Sequence, residues 1–114
     1  MAYPGVVASP PAQRGGERIA DRVYRRIAAR AAADALAPAW AERPGPRPYP
    51  QVSVLVSHGR VRLTLHLELP FPCDVSTLAR TAREAACARV TELTGTPVTV
   101  ADVVIDRLHA AAAR

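Results

Sequence analysis

The residues able to do covalent or metal chemistry are few: two cysteines, three histidines and ten carboxylates in 114 residues. The one pairing with a nucleophilic logic is Cys73 with His66. Cys73 stands just ahead of Asp74-Val75, where a helix is expected to begin. Unpaired amides at a helix start lower a thiol pKa and raise its thiolate fraction. His66, on the preceding expected strand, is the candidate base. A working nucleophile also needs a group that orients the base, and neither such a residue nor an elbow motif stands near the pair. The sequence therefore favours Cys73 as a small apolar residue beside a helix start and predicts no catalytic residue. His58, His66 and His109 do not cluster and no C-x-x-C spacing occurs, so neither a metal nor a cofactor is expected.

The second chemistry on offer is electrostatic. The formal charge of +5 rests on fifteen arginines, and there is no lysine at all. With the abundance of Ala, Pro and Val, this resembles the coding bias of a GC-rich bacterial genome, which weakens any argument from arginine in place of lysine. Residues 1–43 carry seven Arg against four acids, residues 44–69 three against one, and residues 70–114 five against five. Arg14, Arg18, Arg22 and Arg25 are spaced to share one face of an expected helix. Arg60, Arg62, His66 and Glu68 are spaced to share one face of an expected strand. Either set could form a contact surface for acidic lipid headgroups, a nucleic-acid backbone or a protein partner. The competing reading is an ordinary solvated face opposite a core stripe.

These residues need elements to position them. Residues 1–15, with their prolines, glycines and lack of periodicity, are expected to be a disordered tail. Over residues 17–37, Ile19, Val23, Ile27 and Ala31 recur every four positions, which predicts an amphipathic helix with those four on its buried face. Pro38 is expected to end it. Residues 38–50, with Pro44, Pro46, Pro48 and Pro50 at alternate positions, then form a stiff connector with Trp40 and Tyr49 packed at its ends. Residues 52–56 and 61–69 alternate strictly around Ser57-His58-Gly59-Arg60, the pattern of a β-hairpin. Its second strand points Val61, Leu63, Leu65, Leu67 and Leu69 into a core.

Pro70 and Pro72 are expected to stop that strand. Asp74 then caps a second helix whose stripe is Val75, Leu78, Ala82, Ala85, Ala86, Val90 and Leu93, and Gly95 and Pro97 end it. A last strand carries Val98, Ala101, Val103 and Ile105, with a slip in its alternation near residues 100–102 that predicts a bulge or a bend. Residues 109–114 are left as a tail. The expected fold is a small α+β domain over residues 16–108, in the order helix, strand, strand, helix, strand, with two helices on one face of a three-stranded sheet. Neither a secretory leader nor ~18 consecutive apolar residues occur, so a cytoplasmic protein is expected, with membrane contact at most peripheral.

Three stretches, residues 16–35, 52–69 and 74–108, resemble the alkaline shock protein family, also called the envelope stress response family. The leading motif G-x-I-x-I-x-x-x-V-x-x-x-I-A-x-x-A-A is similar to Gly15-Gly16-Glu17-Arg18-Ile19-Ala20-Asp21-Arg22-Val23 with Ile27-Ala28 and Ala31-Ala32. The closing motif T-G-x-x-V-x-x-V-x-V-x-V is similar to Thr94-Gly95-Thr96-Pro97-Val98 through Ile105. The chain departs from the pattern in its proline connector, in Pro97 and in Cys73. The resemblance implies a bacterial cytoplasmic protein without catalytic activity or cofactor. It also implies self-association as a homo-oligomer and binding to a membrane-anchored relative at the inner face of the membrane. On this reading the contact residues are Arg18, Arg22, Arg25, Arg60, Arg62, His66 and Glu68. The element order is also that of a KH-like nucleic-acid module, the alternative. Such a module clamps RNA with a G-x-x-G loop, which is missing here, and the expected hairpin has no aromatic residue for base stacking.

Overall fold

The computed structural model describes residues 19–111. The expected tail at 1–15, the start of the domain at residue 16, and Arg14 and Arg18 lie outside them. Five elements follow in the order α1 (Asp21–Trp40), β1 (Gln51–Ser57), β2 (Arg60–Phe71), α2 (Val75–Thr94) and β3 (Val98–Ala110). The sheet order is β1-β2-β3, with β1 antiparallel and β3 parallel to β2. Both helices pack on one face of this sheet, giving the small α+β domain that the periodicities predict.

The centre of the core is β2. Val61, Leu63, Leu65, Leu67 and Leu69 are each exposed by 1% or less, all on the face the helices cover. The hairpin that sets their register closes at His58-Gly59, both with positive φ (53° and 74°). Two successive positive φ values are those of a type I′ turn, whose twist suits a two-residue hairpin loop. Ser57 consequently faces Arg60, and Val54 faces Leu63.

α2 begins and ends on the residues the sequence marks. The Asp74 carboxylate accepts from the Thr77 backbone N–H at 3.1 Å and from the Thr77 hydroxyl at 2.9 Å. At the other end Gly95 takes the left-handed conformation (φ 73°) and its N–H donates to the Thr91 carbonyl at 2.8 Å. Ala82, Ala86 and Val90 are fully buried, whereas Leu93, expected on the same stripe, is 55% exposed in the last turn.

α1 is rotated from its expected face. Tyr24, Ala28, Ala32, Leu36 and Trp40, a row spaced by four, are buried together with Ala29, while Val23 is 38% exposed and Ile19 and Ile27 pack only at the margin of the core. One residue is a 100° rotation, so the neighbouring stripe was the wrong one by a single step. The reason is steric: Ala28 and Ala32, with Ala82 and Ala86 of α2, are all at zero exposure in one cluster, and small residues there let helices and sheet approach closely. The Tyr24 hydroxyl finds a polar partner at the rim, Thr96 Oγ1 at 3.0 Å.

Pro38 does not end α1. The helix passes through it for two more residues, which carry Trp40 into the core, where it is 6% exposed. The connector thus begins after Trp40. Tyr49 is 54% exposed and does not pin it; Pro50 is buried, and Arg43 ties the connector down by donating to the carbonyls of His109 (2.9 Å) and Phe71 (2.6 Å).

Pro70 does not stop β2 either. β1 reaches only as far as the partner of His66, so β2 has a single neighbour beyond that point, an edge position of the kind that tolerates proline. β3 runs to Ala110, so His109 is a strand residue rather than part of a tail. Its register shifts twice against β2: Val61 and Arg62 face Val98 and Val100, and Leu67 and Glu68 face Ile105 and Arg107. The first extra residue, Thr99, lies beside the predicted slip; the second, Asp106, was not foreseen.

Two outcomes follow. Leu65→Ala, at a site with no exposure, is expected to lower unfolding free energy by about 2–5 kcal/mol, measured by urea denaturation. The Asp74 carboxyl is held below its ordinary value of 3.8 by the Thr77 backbone N–H, then by the Thr77 hydroxyl, with Arg80 adding a little. A depressed folded-state pKa means the ionised cap stabilises fully above the ordinary value, and that its contribution is lost as pH falls through the lower folded one. Asp74→Asn keeps an acceptor oxygen but does not titrate, so its urea midpoint should depend less on pH on the acid side.

Candidate interaction surface

With both helices on one side, the alternate residues of the sheet form an uncovered face. Cross-strand pairing sets its rows: Leu55, Arg62 and Val100 lie side by side, then Ser53, Thr64 and Asp102, then Gln51, His66 and Val104. Arg60 stands at one end. At the other, Glu68 and His109 are hydrogen-bonded, and His66 Nδ1 lies 3.3 Å from the Asp106 carboxylate. Leu55, Val100 and Val104 are 56, 37 and 41% exposed, so the face mixes solvated apolar side chains with charge of both signs.

The structure therefore brings Arg60, Arg62, His66 and Glu68 together on one surface, as the strand alternation predicts. Arg22 and Arg25 are exposed on α1 beside Arg26, in the helix layer on the other side of the sheet, so the two arginine sets are separate surfaces. Arg18 lies outside the described residues. Farther along α1, Arg30 is engaged by Asp34 at 3.2 Å. Sequence reasoning missed Asp102, Asp106, Val100 and Val104, because the last strand was read only for its core side. The alternation of Val100, Asp102 and Val104 was the available signal.

His109, left in the tail by the sequence, has a tertiary role. Its ring meets Trp40 edge-on at 5.6 Å between centroids while its Nε2 bonds Glu68. Each of these two histidines thus holds one carboxylate across β2 and β3. Among the described residues no three His, Cys, Asp or Glu converge as metal ligands.

The thiol–imidazole pairing is not assembled. Cys73 packs half-buried against the core on the helix side, whereas His66 projects from the open face and bonds Asp106. Burial pushes the Cys87 thiol up, with Arg83 opposing weakly, so its thiolate fraction at neutral pH is reduced. Two depressions on the described surface are small. One of about 180 Å³ lies among Ser53, Leu55, Arg62, Thr64 and Asp102, and another of about 150 Å³ lies between α1 and the connector at Leu36, Trp40, Pro48 and Tyr49. Both fall below the ~300 Å³ at which small-molecule sites usually begin. No described helix is long and apolar enough to cross a membrane.

The site and fold define the class: a small α+β domain with one sheet face and two sheet edges uncovered among the described residues. Comparison of the chain with protein-family models, with curated proteins and with solved structures finds no match in any of the three.

Cys87 is half-buried and its thiol pKa is raised, and both slow its alkylation. Iodoacetamide should label Cys87 more slowly in the folded protein than in urea at the same pH, followed by mass spectrometry of the digested protein.

Proposed function

We propose that this chain is a non-enzymatic interaction domain of the envelope stress response type, a scaffold or adaptor that self-associates and binds a membrane-anchored partner at the cytoplasmic side. The observation that carries the reading is the uncovered sheet face. Leu55, Val100 and Val104 stand in water among Arg60, Arg62, His66 and Glu68, a mixture suited to a protein contact with an apolar centre and a charged rim. The arginines of α1 supply a second contact on the other side of the domain, so one copy can hold two partners at once. The motifs at residues 15–32 and 94–105 support the family assignment. The runner-up is a nucleic-acid module using Arg22 and Arg25, favoured by their exposure beside Arg26.

Affinity capture of the tagged protein from its own cells after mild crosslinking, with and without nuclease, separates the two. The adaptor reading expects a membrane protein or copies of related chains in a nuclease-resistant complex; retention that vanishes with nuclease would transfer the function to nucleic acid. Within the adaptor reading, Arg22→Glu with Arg25→Glu is expected to lose the membrane-side partner or anionic liposomes in a flotation assay. The thermal midpoint should be unchanged, because both side chains are exposed. Undiminished binding by the double variant would remove α1 as the contact.

A further inference from the structure

The charges of the domain are sorted by end. The hairpin turn, the start of α1 and the link from α2 to β3 meet at one end, because the Tyr24 hydroxyl reaches Thr96 Oγ1 at 3.0 Å and the Val61 N–H donates to the Pro97 carbonyl at 3.0 Å. Exposed there are Arg22, Arg25 and Arg26 in the first turns of α1 and Arg60 and Arg62 on β2. The described carboxylates at this end are Asp21, Asp102 and Glu92, and Glu92 is taken up by Arg89 at 2.9 Å. The opposite end carries Glu42, Glu68, Asp74 and Asp106 against Arg43, Arg47 and Arg107, and Arg43 is committed to the carbonyls of Phe71 and His109. The two arginine sets lie in different layers, yet a surface laid across the hairpin end meets both.

Apolar side chains collect at the same end. Of the nine large apolar residues exposed among the described ones, Val23, Leu55, Val56, Leu93 and Val100 are there. Leu55 and Val56 stand within three residues of the His58-Gly59 turn, about 10 Å at the rise of a strand. Basic residues mixed with aliphatic ones suit the boundary between lipid headgroups and acyl chains, which a peripheral contact enters by about 5–10 Å. A nucleic acid is matched less well. The described aromatic residue at this end, Tyr24, is buried and bonded to Thr96 rather than open for stacking on a base.

We propose that the hairpin end of the domain docks directly on an anionic lipid bilayer. Arg22, Arg25 and Arg26 from α1 and Arg60 and Arg62 from β2 meet headgroup phosphates, while Leu55 and Val56 reach the boundary with the acyl chains. Arginine suits this role, since its long apolar stem lies along protein or lipid while its guanidinium bonds phosphate oxygens as a fork. The opposite end, with its excess of carboxylates, then points away from the bilayer. The inference goes beyond the preceding section, whose membrane-side partner is a protein: the lipid contact needs neither that protein nor self-association.

Sedimentation of the full-length protein with sucrose-loaded vesicles tests the contact in the absence of any protein partner. Vesicles of phosphatidylcholine and phosphatidylglycerol in equal parts should carry the protein down, and vesicles of phosphatidylcholine alone should not. Binding should fall as salt rises from about 0.1 M to about 1 M, over which the screening length shrinks from about 10 Å to about 3 Å. An arginine close to an anionic leaflet contributes about fivefold to binding, so Arg60→Ala with Arg62→Ala should weaken it by about tenfold or more, as should Arg22→Ala with Arg25→Ala. Arg80→Ala with Arg83→Ala removes the same charge from exposed positions nearer the start of α2 and should leave binding unchanged. A tryptophan placed by Leu55→Trp should be quenched by brominated acyl chains, whereas Trp40, buried at the opposite end, should not be. All the substituted side chains are exposed, and a thermal melt of each variant checks that the fold is kept. Absence of sedimentation with the anionic vesicles overturns the lipid contact and leaves the adaptor reading standing. Equal losses from all three arginine pairs would reduce the binding to net charge, and binding that survives the loss of Arg60 and Arg62 would confine it to α1; either result overturns docking by the hairpin end.

Discussion

Five side chains on one face of the central strand, Val61, Leu63, Leu65, Leu67 and Leu69, are withdrawn from water almost completely, and the other elements are arranged to keep them so. Burying each contributes about 1.5–3 kcal/mol, so the row is comparable with the whole net stability of a typical domain, about 5–15 kcal/mol. Among the described residues, two helices of 20 residues each cover it. They can approach closely because the contacts at their centre are Ala28, Ala32, Ala82 and Ala86, which add almost no bulk. With one Phe and one Trp in the whole chain, the core has to be aliphatic and closely spaced.

That concentration of cover over β2 shapes the rest of the surface. The helices shield the middle strand fully and the flanking strands in part, so β1 and β3 remain half-exposed even on the helix side. Among the described residues the opposite face receives no cover from either helix except at its Pro70–His109 end, where Trp40 meets the His109 ring. Charged residues line its central strand, and His66 with Asp106 and His109 with Glu68 join β2 to β3 where the second bulge interrupts the ladder. At the same end Trp40 and Arg43 bring the close of α1 and the start of the connector onto β3. The surface proposed for protein contacts and the framework that holds the strand ends are thus parts of one sheet.

Much of this was legible where a local rule acts on few residues. The hairpin needed only alternation and His58-Gly59, and the second helix only Asp74 and Gly95 at its ends, because a turn with positive φ and an unpaired helix amide are local demands. Misreadings arose where two local rules competed and packing chose between them. On α1 the stripes starting at Ile19 and at Tyr24 are both apolar, and the aromatic ends Tyr24 and Trp40 with alanines between fit the sheet better. Pro38 and Pro70 are breakers locally, but burial of Trp40 and the single-neighbour end of β2 override them.

The sequence by itself determined the element order, the inward row of β2, the cap and stop of α2, and which charged residues of β2 share a face. These follow from periods of two and from backbone chemistry within a few residues. Only the tertiary structure decided which stripe of α1 is buried, that β3 lies parallel beside β2 with a second bulge at Asp106, and that His66 and His109 each meet a carboxylate from the neighbouring strand. Those outcomes depend on residues about forty positions apart coming together, and no local period encodes which partner a strand edge or a helix face will meet.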